Sequence, residues 1–586
     1  MSGFSCNPAR ALLIACITAL AGGASAQSAE VLEAQRAAYD AVQPKSVIDL
    51  QMFRATTDAA LPGDGAGQVR LISLNPAVNA WFVLQTGTAD QPAQQSYHLE
   101  NPDPHGQRVV LVPGDDPRIE LWRGERKLTC RPWQGDPSAL EDARKKGIPY
   151  APICDKRLYL RNKASGARTT LEATTEFLRD HVWGGEKILN LAKGTLFKDS
   201  EMETANVLGM EQAGREAVGP GAAQMLETLE ARPVIGHQMD ITVYGADPGR
   251  MAGGLWYPVQ GVPGVFASAY QPRWVPKAIL DGPGKANWLD GTESQANGYF
   301  VAFDLSAFDV GFAVGTDHPG VGWSDRPPVS VRPRGMPGPD GFSNVAPLMR
   351  LGMVNPDVAD RVVATFTAGF KRSHGAFRYG DYREVDYGKH YGFIENGAIL
   401  SKLWPGLSTL YVLNDGTIGM KTWEEADNAL LPRIRFARQN GVPIVVTDPE
   451  TGLPVPGDRV TQWGPGNWSG SAEAKLRTLR AGACMKHNEG RQYLIYGYFS
   501  TATPSAMART FQAYGCEYAM LLDMNALEHT YLALYARNAD GMHVQHLVPG
   551  MKLIEKKARD GNLILRFLGF VDNRDFFYLT PKEDLK

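Results

Sequence analysis

From about residue 46 to residue 160 the chain is cut into short apolar runs: VRLISL, AWFVLQT, RVVLVPG, RIELWR, KLTCRPW and RLYLRN. Clusters of turn formers stand between them, namely GDGAG, NPDPHG, PGDDP and GDP. Glycine tolerates the positive φ that tight turns need, proline presets φ, and aspartate bonds its own backbone, so each cluster ends one extended segment and begins another. Short strands at this spacing predict a β-sandwich or small barrel. The texture then changes. Residues 169–191 (TTLEATTEFLRDHVWGGEKILNL) read as a helix opened by a threonine cap with Glu172 in its first turn. Another helix is expected over residues 221–231, and a short amphipathic one over residues 29–42.

The chain opens MSGFSCNPARALLIACITALAGGASAQ, with Arg10 as the only early charge. An apolar run and the small residues Ala24-Ser25-Ala26 follow, the arrangement of a secretory signal over residues 1–26 with cleavage after Ala26. A rival reading acylates Cys16 as a lipoprotein. No later stretch approaches the length of a membrane span, so none is expected after signal removal, and the mature protein is expected to be periplasmic or secreted. Roughly 560 remaining residues exceed one ordinary core, so more than one domain is expected. Apolar content of 44% and charged content of 21% are globular values, and a net charge of -3 with no basic block disfavours nucleic-acid partners. Cys130, Cys154, Cys484 and Cys516 survive cleavage and fall into two pairs, one in each proposed domain. In an oxidising compartment the pairs predict disulfides Cys130–Cys154 and Cys484–Cys516; the alternative is four buried thiols.

A second domain is expected from Arg232, giving a β-rich N-terminal domain over 27–231 and a larger one over 232–586 with its core at 291–547. Proline-rich sequence at 327–341 reads as a loop. The final third reads as strand and helix in alternation: LRAGACMKH, QYLIYGYF, the helix SAMARTFQAYG, then YAMLLDMN. The expected fold class is therefore α+β: a mixed sheet with helices, preceded by a sandwich-like domain with a helical segment.

Several segments of the second domain resemble a known family in its own order. ATFTAGFK (364–371) resembles the "ATFNGGFK" segment of the phosphodiester glycosidase family, which includes the enzyme that uncovers mannose 6-phosphate. GFIENG (392–397) and YVLNDG (411–416) are similar to its paired hairpins. FARQN (436–440) with IVVTD (444–448), RAGA (480–483) and AMLLDMN (519–525) resemble its later segments. Two positions depart from the pattern. Thr367 stands for the family's asparagine and Ala368 for its first glycine; threonine lacks the amide's donor pair, and a methyl limits close backbone approach.

Cleaving a sugar–phosphate diester needs a stabilised leaving phosphate, a supported oxocarbenium-like sugar and an activated water. The resemblance places Asp523, at the end of an apolar strand, as base, electrostatic stabiliser or holder of a divalent cation, with no other cofactor indicated; otherwise it caps a turn. Asn525 shares its face if the strand continues, and Arg480 offers a planar fork to phosphate. Those three are the catalytic candidates. Thr367, the cationic loop of Lys371, Arg372 and His374, and the nearby Glu528 and His529 are candidates for substrate contact. His543 and His546 lack a third ligand, so no zinc site is expected. The reading is an exported hydrolase of a glycosyl phosphodiester in an envelope or extracellular glycan. The alternative is a non-catalytic carbohydrate-binding or envelope-assembly protein.

Overall fold

The computed structural model describes residues 46–63, 67–170, 172–174, 199–212, 218–317, 345–370, 392–462, 475–539 and 541–582. The leader with Cys16, the helix expected over 29–42, most of that over 169–191, the stretch 327–341, and Lys371, Arg372 and His374 lie outside the described residues.

Nine strands come first: β1 (Ala55–Ala60), β2 (Gly67–Ser73), β3 (Trp81–Thr88), β4 (Gln95–Glu100), β5 (Arg108–Val112), β6 (Arg118–Arg123), β7 (Arg126–Cys130), β8 (Tyr150–Ile153) and β9 (Leu158–Arg161). They form a six-stranded sheet, β1-β2-β3-β4-β9-β8, and a three-stranded sheet, β5-β6-β7. The period of two along a strand explains why β2 and β3 read as nearly unbroken apolar runs. Val69, Leu71, Phe82 and Leu84 face a core shared with Val109, Leu111, Ile119 and Leu121. Ile72, Leu74, Trp81 and Val83 point the other way, into a larger core that runs on to Leu579.

A small sheet follows, made of β10 (Val207–Gln212), β11 (Ala231–Gly236) and β12 (Arg250–Ala252). The remaining strands are β13 (Tyr257–Pro258), β14 (Val265–Tyr270), β15 (Gly298–Asp304), β16 (Phe308–Ala313), β17 (Ala364–Thr367), β18 (Phe393–Glu395), β19 (Ala398–Ser401) and β20 (Ser408–Leu413). Then come β21 (Ile418–Thr422), β22 (Ile434–Gln439), β23 (Pro443–Thr447), β24 (Pro454–Pro456), β25 (Thr478–Asn488), β26 (Arg491–Ala502), β27 (Tyr518–Met524) and β28 (Leu532–Asn538). The series ends with β29 (Gly541–His546), β30 (Lys556–Lys557), β31 (Leu563–Ile564) and β32 (Phe576–Pro581). They build an eight-stranded sheet, β13-β14-β15-β26-β25-β27-β23-β24, and two five-stranded sheets, β16-β32-β17-β28-β29 and β19-β18-β22-β20-β21, with β30-β31 a lone pair.

The α+β expectation does not hold. Among the described residues strands take 42% and helices 12%, and the seven sheets they form are mostly antiparallel, so the fold is mainly β. One misread helix and the pairing of strands expected to alternate with helices account for part of the difference. Residues 221–231 are no helix: their backbone groups find partners elsewhere, with Ala223 N–H donating to the Gly254 carbonyl (2.8 Å) and Gln224 N–H to that of Ala513 (2.7 Å). Tertiary hydrogen bonds there replace the local ladder that helix propensity favours. In the final third, LRAGACMKH and QYLIYGYF form one long hairpin, β25–β26, turned at Glu489 and Gly490 with φ of 50° and 76°. The helix expected at SAMARTFQAYG is present as Pro504–Ala513, capped by Thr503 and buried along its length, in a region built mostly of strands. Both expected disulfides are present: Cys130–Cys154 and Cys484–Cys516, with Cα atoms 5.7 and 5.8 Å apart.

Candidate functional site

Three strand ends meet in the C-terminal sheets. β17 ends at Thr367 opposite Phe576 of β32, while its neighbour Phe366 lies opposite Leu532 of β28. The chain leaving β17 is held by the buried residues that end β22. Phe370 N–H donates to Asn440 Oδ1 (3.0 Å), and an Arg438 Nη2–H donates to the Phe370 carbonyl (2.7 Å). The Asn440 amide donates in turn to the carbonyls of Leu521 (2.6 Å) and Leu522 (3.0 Å) in β27. Gly369 makes this closeness feasible, because a Cβ there would stand 2.7 Å from the Asn440 side chain. The residues of the FARQN segment thus join the exit of β17 to the end of β27.

Asp523 occupies that end and is 4% exposed. Oδ2 pairs with the Arg574 guanidinium, and Oδ1 accepts Met524 N–H (2.9 Å). Burial pushes its carboxyl up to about 6 although Arg574 pulls it down; Asp575 adds a smaller upward push. Arg574 also donates to Glu172 Oε1 (2.9 Å) and to His529 Nε2 (2.7 Å). His529 Nδ1 lies 2.7 Å from the Met524 carbonyl. A carbonyl only accepts, so Nδ1 carries the proton and Nε2 receives the bond from Arg574. Thr367 Oγ1 donates to the His529 carbonyl (2.5 Å), and Asp575 is paired with Arg438. Carboxylates and guanidiniums therefore alternate in the order Glu172, Arg574, Asp523, Arg438 and Asp575, with Arg438 paired to Asp575 and acting on Asp523 through space.

Beside this network opens a cleft of about 350 Å³ lined by Thr169, Glu172, Glu528, Arg566, Asp572 and Asn573. Glu528 accepts from Thr169 Oγ1 (3.0 Å), and Arg566 is forked onto Asp572 (2.9 and 3.1 Å). Asn573 donates to Glu172 (3.0 Å), while its Oδ1 has no partner among the described residues.

The structure brings Thr367, Asp523 and His529 together and puts Glu528 on the adjoining cleft wall. Arg480 stands elsewhere. Neighbours along β27 alternate faces, and Arg480 bonds the sulfur of Met524 (3.2 Å), so it lies across the sheet from Asp523. Its other donors reach the carbonyls of Ala502 (2.8 Å) and Leu476 (3.0 Å), and burial at 0% exposure pulls it down to about 9. Asn525 leaves the strand alternation at φ 81° and accepts from Thr478 (3.1 Å). Among the described residues no group of three or more His, Cys, Asp or Glu can hold a metal ion. Asp523 itself does not fit a cation, since Arg574 already supplies the positive charge at its free oxygen. Sequence reasoning did not single out Arg574, Asp575, Arg438 and Asn440, and took Glu172 only as a helix opener. The one signal was the polar run Asp572-Asn573-Arg574-Asp575 leading directly into the apolar run FFYL.

A scan against protein-family models gives no match, and neither does a search of curated protein sequences. Among solved structures, the auto-inhibited catalytic domain of zebrafish N-acetylglucosamine-1-phosphodiester alpha-N-acetylglucosaminidase is similar at a TM-score of 0.28 and 9% identity, over 55% of this chain and 85% of that one. A hypothetical protein from Synechocystis is similar at a TM-score of 0.24 and 11% identity, over 86% of this chain and 97% of that one. At these scores the likeness is distant and carries no argument about activity.

Proposed function

We propose that the chain is an exported hydrolase that cleaves a glycosyl phosphodiester, with Asp523 acting at the scissile bond. One observation carries this reading. Segments that resemble the phosphodiester glycosidase family, far apart in sequence, lock together around a buried carboxylate: Phe370 to Asn440, and Asn440 to Leu521 and Leu522. Above about pH 6 Asp523 is ionised. It then takes a proton from the attacking water, or supports positive charge on the sugar, as the bond from anomeric carbon to phosphate oxygen breaks and its electron pair leaves with the phosphate monoester. Arg574 holds Asp523 and His529 in one geometry, which makes it a positioning residue. The two disulfides, and the lack among the described residues of a helix able to cross a membrane, are compatible with a periplasmic or extracellular protein. A cleft of about 890 Å³ in the N-terminal sheets, bordered by Trp122, His105 and Gln107, is where a glycan chain would be held.

A second reading, a glycan-binding protein without turnover, is favoured by the engagement of both Asp523 oxygens and by the distance of Arg480 from the site. Purified protein incubated with a panel of sugar-1-phosphodiesters separates the two. Release of sugar and phosphate monoester, lost in Asp523→Asn, supports the hydrolase. Saturable binding without release supports the second reading.

A further inference from the structure

At the opposite ends of β17, β28 and β32 from Asp523 lies a further cavity, of about 770 Å³, that the hydrolase reading does not use. Its size falls in the range of roughly 300–1,000 Å³ common for small-molecule sites. The floor is apolar: Val262, Phe308, Val363 and Tyr535 line it, and all four are buried. Tyr535 has turned its hydroxyl away to Thr365 (2.8 Å), so the floor presents ring rather than polar atoms.

The rim is charged, and unevenly. Arg361, Arg491, Arg537 and Lys582 border the cavity against two carboxylates, Asp304 and Asp360. Asp304 is taken up by Arg491 (2.8 Å) and by Ser306 (2.6 Å). Arg537 donates to the carbonyls of Val362 (2.7 Å) and Ala359 (3.3 Å), contacts that fix the guanidinium without neutralising it. Asp360 offsets part of that charge through space. An apolar floor beneath a net positive rim favours one ligand chemistry, an apolar body carrying a single anionic group.

We infer that this cavity is a binding site for a small amphiphilic anion, an alkyl or aryl group bearing a carboxylate, sulfonate or phosphate. The floor takes the apolar body, and Arg537 and Lys582 take the charge. The inference stands apart from the hydrolase reading, because none of these residues belongs to the Asp523 network.

The probe is 1-anilinonaphthalene-8-sulfonate, compared with N-phenyl-1-naphthylamine, the same ring system without the sulfonate. Fluorescence titration of the full chain is expected to give one saturable site that prefers the sulfonate. Dodecyl phosphate is expected to displace it. Arg537→Gln and Lys582→Gln are each expected to weaken the sulfonate by about fivefold, as for loss of one charge-assisted hydrogen bond, and to leave the uncharged probe unchanged. Both residues lie at the protein surface, and an unaltered melting temperature in either variant keeps the comparison valid. Equal binding of the two probes overturns the inference, as does sulfonate binding untouched in both variants. Co-sedimentation with anionic vesicles without displacement by dodecyl phosphate overturns it in favour of a membrane surface.

Discussion

Asp523→Asn tests the buried network by its charge alone, since the amide nearly matches the carboxylate in shape. An unfolded aspartate titrates near 3.8, and burial raises Asp523 to about 6 in the folded chain. The folded state therefore binds the proton more tightly. The stability this supplies is fully present below pH 3.8 and is lost as pH rises through about 6. Two units correspond to roughly 3 kcal/mol, of which roughly 2–3 kcal/mol falls between pH 4 and pH 7. Asparagine has no such transition. It also cannot accept from both Arg574 and Met524 N–H, a loss of about 1–3 kcal/mol, while Arg574 keeps Glu172 as a partner. At pH 7 these effects oppose each other, so the variant is expected within about 2 kcal/mol of the parent. Towards pH 4 the parent is expected to gain on it by roughly 2–3 kcal/mol. Urea denaturation of both proteins at several pH values measures the difference and cancels all other titrating groups. Turnover on a confirmed glycosyl phosphodiester is expected to fall at least roughly 100-fold, and the parent's rate to rise with pH near 6. A stability gap that stays constant with pH refutes the raised carboxyl, and full activity in the variant refutes its catalytic use.

Each disulfide closes a loop, with separations of 24 and 32 residues, and is expected to contribute roughly 3–4 kcal/mol. Non-reducing peptide mapping checks the pairing, and free thiols at either pair would falsify it. Arg480→Lys gives up the fork to the carbonyls of Ala502 and Leu476, so stability is expected to fall by about 1–3 kcal/mol with turnover per folded molecule unchanged. A selective loss of turnover would return Arg480 to the site. Separate expression of 27–231 and 232–586 tests a division near Arg232; the core around Phe82, Leu99 and Ile119 is the part expected to persist in the first piece. Aggregation of both pieces counts against two independent units.

The strands of the first 160 residues were legible because burial on one or both faces writes itself as short apolar runs, and VRLISL and AWFVLQT fall on β2 and β3. Residues 221–231 were misread because their hydrogen bonds go to Gly254 and Ala513, partners that local periodicity does not register. Asp523 was legible as an acid ending an apolar strand. Arg574 was not, since nothing near it in sequence names Asp523, Glu172 or His529 as its contacts. Arg480 misled for the converse reason. A guanidinium satisfied by backbone carbonyls looks in sequence like one waiting for phosphate.

The order of the sheet that carries Thr367 has a consequence for the making of the protein. β16 and β17 are not neighbours; β32, synthesised long after both, lies between them. Until that strand joins them, each keeps an open edge, and Asp523 and Arg438 wait for Arg574 and Asp575, which lie just ahead of it in sequence. Pairing at such sequence separation is slow, and waiting edges attract other chains. An intermediate in which β32 and the residues before it have not yet docked therefore carries unbalanced charge together with two open edges. That stage of folding is where a chaperone has most to protect.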